Sequence, residues 1–131
     1  RCTCGSWDCF EAYASGSGLK KTAEEILNNP TVTTYDVIKG VNNQDSLMIS
    51  IFNKWQDDIT NGLIGLSNLF DPDCIVLSGS MAEFVDTNKI ETKVNQEICT
   101  TPTKIYKATT GNYSGMIGAT LLAFRKKEQH G

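Results

Sequence analysis

Three cysteines close to the N-terminus carry the strongest chemical signal in the sequence. Cys2, Cys4 and Cys9 follow the spacing C-x-C-x4-C. Thiolates bind zinc at about 2.3 Å, usually in a tetrahedron. The first step brings two sulfurs together through a tight turn, Gly5 loosens the backbone after it, and the second step returns a third sulfur to the same point. The spacing therefore predicts a metal site; the alternative is three unligated or oxidised cysteines in a loose chain end.

A closed structural zinc site needs a fourth ligand. The sequence has one histidine, His130, and it lies in the C-terminal tail. We therefore expect a residue that precedes Arg1 to complete the site. The chain also begins at arginine rather than methionine, so we expect it to be part of a longer protein.

The cysteine count indicates the compartment. Five cysteines, an odd number, with no secretory segment favour a reducing environment and a cytoplasmic location over a disulfide framework. The two remaining cysteines, Cys74 and Cys99, border an apolar run and end a helical stretch, respectively. We expect both to be buried as small hydrophobic residues.

Size and charge limit the function classes. The chain has 131 residues, which is enough for one domain. Its formal net charge is -3, which argues against a nucleic-acid partner because such binding depends on clustered lysine and arginine. No apolar run approaches the roughly 18 residues that a membrane-spanning helix needs.

The hydrophobic pattern predicts helices first and an α/β unit afterwards. Helices are predicted over 19–28, 36–41, 45–70, 86–98 and 116–127, and strands over 74–77 and 104–108. In the longest helix, apolar residues recur at steps of three and four, which places them on one face: Leu47, Ile51, Phe52, Trp55, Ile59, Leu63, Leu66 and Phe70. Gly62 and Gly65 near its end predict a close packing partner, because glycine is about 1 kcal/mol less favourable than alanine in a helix.

The second half reads β-α-β-α, which predicts parallel strands joined by helical crossovers. The continuous apolar run 74–77 is typical of a strand buried on both faces. Two strands make a small sheet, so we expect further strands from preceding chain.

A polar corner follows the first strand at Ser78, Gly79 and Ser80. Ligands of α/β sheets bind at the carboxyl ends of the strands. Gly79 would allow a nucleotide to approach the backbone closely. The corner is therefore a candidate nucleotide site, and a plain strand-to-helix turn is the alternative.

Three stretches together resemble one protein family. Residues 2–11 resemble the C-x-C-G-x-x-G-C-x-E motif of the ROK family (repressors, open reading frames and kinases). Residues 69–80 are similar to that family's helix end, Asn/Asp-Pro, apolar strand and Gly-Gly, and residues 116–121 resemble its closing I-G-A-A helix. The stretches occur in family order and span nearly the whole chain. The cysteine motif is specific, and the other two support it by order and spacing.

The resemblance implies the C-terminal lobe of an actin-like ATPase (ribonuclease H-like) α/β fold with an N-terminal zinc-binding loop. Residues 1–131 would then be a single partial domain, with 1–18 as the zinc and sugar-contact loop and 19–131 as the helices and the β-α-β-α unit. It implies that the three cysteines share a structural zinc with an upstream histidine, and that Glu11 contacts sugar hydroxyls. On residue type alone, Glu11 would be solvated surface. The corner at 78–80 would lie near the adenosine of Mg-ATP.

Two positions depart from the family pattern. Asp8 replaces the glycine before the third cysteine, where the backbone needs an angle that aspartate tolerates better than most side chains. Ser80 replaces the second glycine of the nucleotide corner, which makes nucleotide binding less secure than metal binding. The family's aspartate base and its phosphate loops are absent from the sequence, so no catalytic residue is assigned and we expect this piece alone not to phosphorylate sugars.

Three functions remain open from the sequence. The first is the C-terminal lobe of an ATP-dependent hexose or N-acetylhexosamine kinase, such as a glucokinase, an N-acetylmannosamine kinase or a fructokinase. The second is the sugar-sensing lobe of a ROK transcriptional repressor, and the third is a free-standing zinc-binding interaction module. Sugar and ATP would be the partners of the kinase, with neither nucleic acid nor membrane, and the long apolar helix suggests a homodimer.

Overall fold

A computed structural model describes residues 2–110 and Tyr113. The elements are α1 (Glu11–Ala14), α2 (Gly16–Leu27), α3 (Thr34–Asn42), α4 (Ser46–Phe70), β1 (Cys74–Leu77), a 3-10 turn (Ala82–Phe84), α5 (Thr87–Glu97) and β2 (Lys104–Lys107). The helix predicted over 116–127 and the tail histidine, His130, lie outside the described residues.

The long helix α4 is the element against which α1, α2, α3 and α5 pack. Its 25 residues span about 37 Å. The central part of the predicted apolar face is buried: Ile51, Phe52, Trp55, Ile59 and Leu63. Leu47, Leu66 and Phe70 of the same predicted face are instead exposed. Near the C-terminal end of α4 the buried side is that of Ser67, which is 0% exposed and whose carbonyl accepts from Thr100 Oγ1 at 3.3 Å.

Side-chain caps set the helix boundaries. The carboxylate of Asp45 accepts hydrogen bonds from the backbone N–H groups of Leu47 at 2.9 Å and Met48 at 3.0 Å, which starts α4. The Ser15 hydroxyl oxygen accepts from Gly18 N at 3.2 Å. This cap starts α2 at Gly16, three residues before the helix predicted from position 19.

The two strands form a parallel sheet with α5 as the crossover, as the pattern predicted. The register pairs residues 74–77 with residues 104–107 in order. Glu91 of α5 ties the crossover to β2, since its carboxylate accepts from Ile105 N at 2.9 Å and from Lys104 Nζ at 3.0 Å. These bonds, led by the one from the Ile105 N–H, lower the pKa of Glu91.

The prediction that Cys74 and Cys99 are buried is wrong, because both are exposed. Side chains alternate between the two faces of a strand, and Cys74 lies on the face opposite Ile75. Val76 shares that outer face and is 56% exposed, so among the described residues β1 is covered on one face rather than two. Cys99 lies just beyond the end of α5, where its N–H donates to Asn68 Oδ1 at 2.9 Å.

The indole of Trp55 joins α4 to the corner between α1 and α2. It is 1% exposed, and its Nε1–H donates to the carbonyl of Ser15 at 3.0 Å. Replacing Trp55 by phenylalanine should destabilise the fold by about 2 kcal/mol. The Ser15 carbonyl then keeps only the hydrogen bond from Leu19 N at 3.0 Å, and the smaller ring leaves a void in the core. The midpoint of denaturant unfolding measures the loss. Trp7→Phe is the matched control, because Trp7 is 73% exposed; equal midpoints for the two variants would contradict the prediction.

No helix among the described residues has both the length and the apolar character needed to span a membrane.

Candidate metal centre and substrate-binding site

The structure brings the three N-terminal sulfurs together. The Sγ atoms of Cys2, Cys4 and Cys9 all lie within 4.8 Å of one another, and those of Cys4 and Cys9 are 3.5 Å apart. Two sulfurs on one tetrahedral zinc lie about 3.8 Å apart, given Zn–S bonds of about 2.3 Å. The donor set and its spacing therefore fit a zinc ion. Among residues 2–110 and Tyr113, no fourth histidine, cysteine or carboxylate joins the group.

Backbone hydrogen bonds hold the cysteine loop in this shape. Gly5 N donates to the carbonyl of Cys2 at 3.0 Å, and Cys2 N donates to the carbonyl of Ser6 at 2.9 Å. These bonds close the turn that returns the chain toward Cys9. The loop is thus a locally specified structure with its sulfurs on one side.

The thiols of the loop differ in acidity. The backbone of Ser6, followed by the thiol of Cys9, lowers the pKa of Cys4 to about 7. The hydrogen bond to Cys4 in turn raises the pKa of Cys9 to about 11. Of these two thiols, whose sulfurs are 3.5 Å apart, Cys4 is therefore the one that loses its proton more readily.

Asp8, which stands where the family motif has glycine, adopts the left-handed conformation with φ 55°. Aspartate visits this region more readily than most side chains. The Tyr13 hydroxyl donates a hydrogen bond to the Asp8 carboxylate, and this raises the pKa of Tyr13. The departure from the motif is therefore accommodated without loss of the turn.

Glu11 begins α1 beside the sulfurs. Its Oε2 accepts a hydrogen bond from Cys2 Sγ at 3.3 Å, and the side chain is otherwise exposed. A carboxylate two residues after a cysteine of the cluster can accept hydrogen bonds from hydroxyl groups on its open side.

The corner at residues 78–80 follows β1 and separates two cavities. Gly79 has φ 104°, which favours glycine. One cavity of about 330 Å³ is mainly apolar and includes Phe10, Trp55 and Leu77 in its wall. The other, also about 330 Å³, is lined by Tyr35, Lys107 and other polar side chains. The corner is thus open to ligands on two sides.

The structure adds residues that the sequence patterns did not single out. Phe10 lies between the last cysteine and Glu11 and also lines the apolar cavity beside the corner. Tyr35 and Lys107 line the polar cavity from α3 and β2. The sequence signal for Phe10 is an aromatic residue inside the cysteine motif. Tyr35 and Lys107 have no such signal, because they belong to elements that are distant in sequence from the corner.

The fold is shared with solved sugar kinases. A ROK hexokinase from Thermus thermophilus superposes with a TM-score of 0.76 at 25% identity, over 92% of this chain and 43% of the hexokinase. A ROK family glucokinase from Streptomyces griseus, solved in complex with glucose and AMPPNP, superposes with a TM-score of 0.72 at 23% identity, over 91% of this chain and 45% of its own. The predicted α/β class is confirmed, and the neighbours have the actin-like ATPase fold.

The sequence model of the ROK family matches residues 1–126, and the chain belongs to that family. Among curated proteins, the N-acetylgalactosamine kinase AgaK of Shewanella sp. (strain ANA-3) is 31% identical over 124 residues, which cover 92% of this chain and 40% of the kinase. The chain thus spans about two-fifths of the length of this relative.

Proposed function

We propose that this chain is the C-terminal lobe of a sugar kinase that transfers the terminal phosphoryl group of Mg-ATP to a hydroxyl of a hexose or N-acetylhexosamine. The observation that carries the proposal is the position of Glu11, the first residue of α1, directly after the loop that brings the three sulfurs within 4.8 Å of one another. Family membership and the likeness to an N-acetylgalactosamine kinase support the reaction class.

The cysteine loop would hold a structural zinc. Cys2, Cys4 and Cys9 supply three thiolate ligands, and the fourth comes from outside the described residues. When bound, the metal supplies rigidity rather than Lewis acidity. A reducing compartment such as the cytoplasm keeps the thiols available for it.

Glu11 would orient the sugar. Its carboxylate accepts hydrogen bonds from sugar hydroxyls, which are strong because the acceptor is charged. Orientation is a large part of phosphoryl-transfer catalysis, since the reacting oxygen must be in line with the phosphorus. We assign no catalytic base to this chain, and propose that the other lobe provides it and that the protein works as a homodimer.

A coupled ATPase assay on the full-length protein tests the function. With N-acetylgalactosamine, N-acetylglucosamine, N-acetylmannosamine, glucose and fructose as substrates, we expect turnover with at least one and formation of a sugar phosphate. Sugar binding without turnover, together with specific DNA binding, would contradict the kinase and support a repressor of the same family.

The corner at Ser78, Gly79 and Ser80 would contact the nucleotide. Gly79→Ala puts a side chain at φ 104°, a conformation that alanine rarely adopts, so the corner must shift. We expect the KM for ATP to rise about fivefold to tenfold with little change in the KM for sugar. Steady-state kinetics with each substrate varied in turn makes the distinction. An unchanged KM for ATP would contradict the assignment.

A further inference from the structure

Phe10 links the cysteine loop to the long helix. It lies between Cys9 and Glu11, and its ring rests on the backbone of Gly62 in α4. A Cβ placed on Gly62 would lie 2.7 Å from Phe10 Cδ2 and closer still to Cε2 and Cζ. Only glycine at position 62 therefore leaves room for the ring where it is.

The two glycines of α4 differ in this respect. A Cβ on Gly65 would meet no described atom within 4 Å. Glycine is disfavoured inside helices relative to alanine. The contact with Phe10 explains why position 62 is glycine, and no contact with a described residue explains the glycine at position 65. The predicted close partner is confirmed for Gly62, and for Gly65 no described residue supplies one.

The Phe10 ring has space for a second position beside the one it occupies. Phe10 is 46% exposed and forms part of the wall of the apolar cavity of about 330 Å³. A methyl group at position 62 could therefore push the ring toward that cavity or toward solvent while the fold stays intact. Glycine at this position thus determines where the ring lies.

The position of α1 depends on the contacts that its neighbouring residues make with the rest of the protein. This helix has four residues, too few to be stable without tertiary contacts. Glu11 is its first residue, and the residues just before it are Cys9, which belongs to the sulfur cluster, and Phe10, which rests on α4. On the N-terminal side of Glu11, α1 is therefore attached through the sulfur cluster and the ring, and beyond its C-terminal end the indole of Trp55 holds the carbonyl of Ser15.

We propose that Phe10, seated on Gly62, is a positioning residue that fixes the direction of the Glu11 carboxylate and so sets the affinity for sugar. This inference rests on the proposed sugar contact of Glu11. Phe10 does not touch the reacting atoms; it acts through α1, whose first turn carries the carboxylate.

Gly62→Ala in the full-length kinase tests the inference. We expect the KM for sugar to rise about tenfold, with kcat reduced less than about threefold and the KM for ATP unchanged, since a displaced carboxylate weakens sugar binding. Zinc content should be unchanged. Gly65→Ala is the matched control, because it makes the same substitution where a Cβ meets no described atom, and it should leave all kinetic constants as they are.

A compensating variant separates positioning from general stability. Leucine lacks the Cε2 and Cζ atoms that an alanine at position 62 would overlap most deeply, and its Cδ methyl groups can rotate away from the remaining approach of 2.7 Å. Gly62→Ala combined with Phe10→Leu should therefore recover most of the lost sugar affinity. A double variant as impaired as Gly62→Ala, or Gly62→Ala kinetics equal to those of Gly65→Ala, would overturn the inference.

Two further variants keep the test decisive. If Gly62→Ala does not fold, Phe10→Ala removes the half-exposed ring without a clash, and an unchanged KM for sugar would overturn the inference. Glu11→Gln distinguishes the two proposals. A raised KM for sugar in Glu11→Gln but not in the Phe10 and Gly62 variants overturns the positioning role alone, whereas no effect in Glu11→Gln overturns the sugar contact and the positioning role together.

Discussion

Replacing Cys4 by serine in the full-length protein should abolish the proposed zinc binding and lower the rate of the proposed sugar phosphorylation about a hundredfold. Hydrogen bonding, led by the backbone of Ser6, lowers the pKa of Cys4 to about 7, and its sulfur lies 3.5 Å from that of Cys9. A hydroxyl is a poor ligand in its place. Without the metal, the three cysteine side chains are no longer joined, so the loop and the Glu11 carboxylate after it can shift. A misplacement of about 1 Å can lower the rate about a hundredfold. Metal analysis and the coupled assay on one preparation measure both effects.

Cys74→Ser is the control for this change. Cys74 is an exposed free cysteine on the outer face of β1, and the same atom replacement there should leave zinc content and rate unaltered. Full zinc content in Cys4→Ser, or equal loss in both variants, would contradict the assignment of the cluster.

Replacing Glu11 by glutamine should lower kcat/KM for sugar about a hundredfold while zinc remains bound. The amide has nearly the shape of the carboxylate but lacks its charge, so its hydrogen bonds to sugar hydroxyls are weaker and one of its two terminal atoms can no longer accept. The expected loss appears mainly in the KM for sugar and leaves the KM for ATP unchanged. Steady-state kinetics and metal analysis together separate this effect from damage to the loop.

Glu24→Gln is the matched control for Glu11→Gln. Glu24 lies on α2, where its carboxylate is 3.5 Å from Lys20 Nζ in a surface pair of little energetic weight. The same change of charge there should leave kcat/KM unaltered. A Glu11→Gln enzyme with the kinetics of Glu24→Gln would show that Glu11 does not contact the sugar.

The helices and strands of the fold were predictable where local signals agree. Apolar spacing defines the centre of α4, and Asp45 and Asp71-Pro72 mark its ends. The strand of residues 74–77 follows from a short apolar run, and a second strand was predicted over 104–108, after a helix and Pro102; the structure pairs the two in parallel. Local patterns cannot tell which residues of a long face are covered, because that depends on where other elements end. Leu66 and Phe70 continue the pattern of Ile59 and Leu63 and yet are exposed.

The candidate site was predictable in part for a different reason. The cysteines and Glu11 are close in sequence, so spacing alone indicates that they meet. The prediction that Cys74 is buried is wrong because an apolar run does not reveal whether both faces of a strand are covered. The contact between Phe10 and Gly62 joins residues that are 52 positions apart (62 − 10). It could not be predicted, because a glycine in a helix does not indicate which residue packs against it.

X-ray absorption at the zinc edge of the full-length protein tests the central claim most directly. The account predicts about one zinc per chain, with three sulfur ligands at about 2.3 Å and one nitrogen or oxygen ligand. A protein without zinc, or with zinc that has no sulfur neighbours, would contradict it.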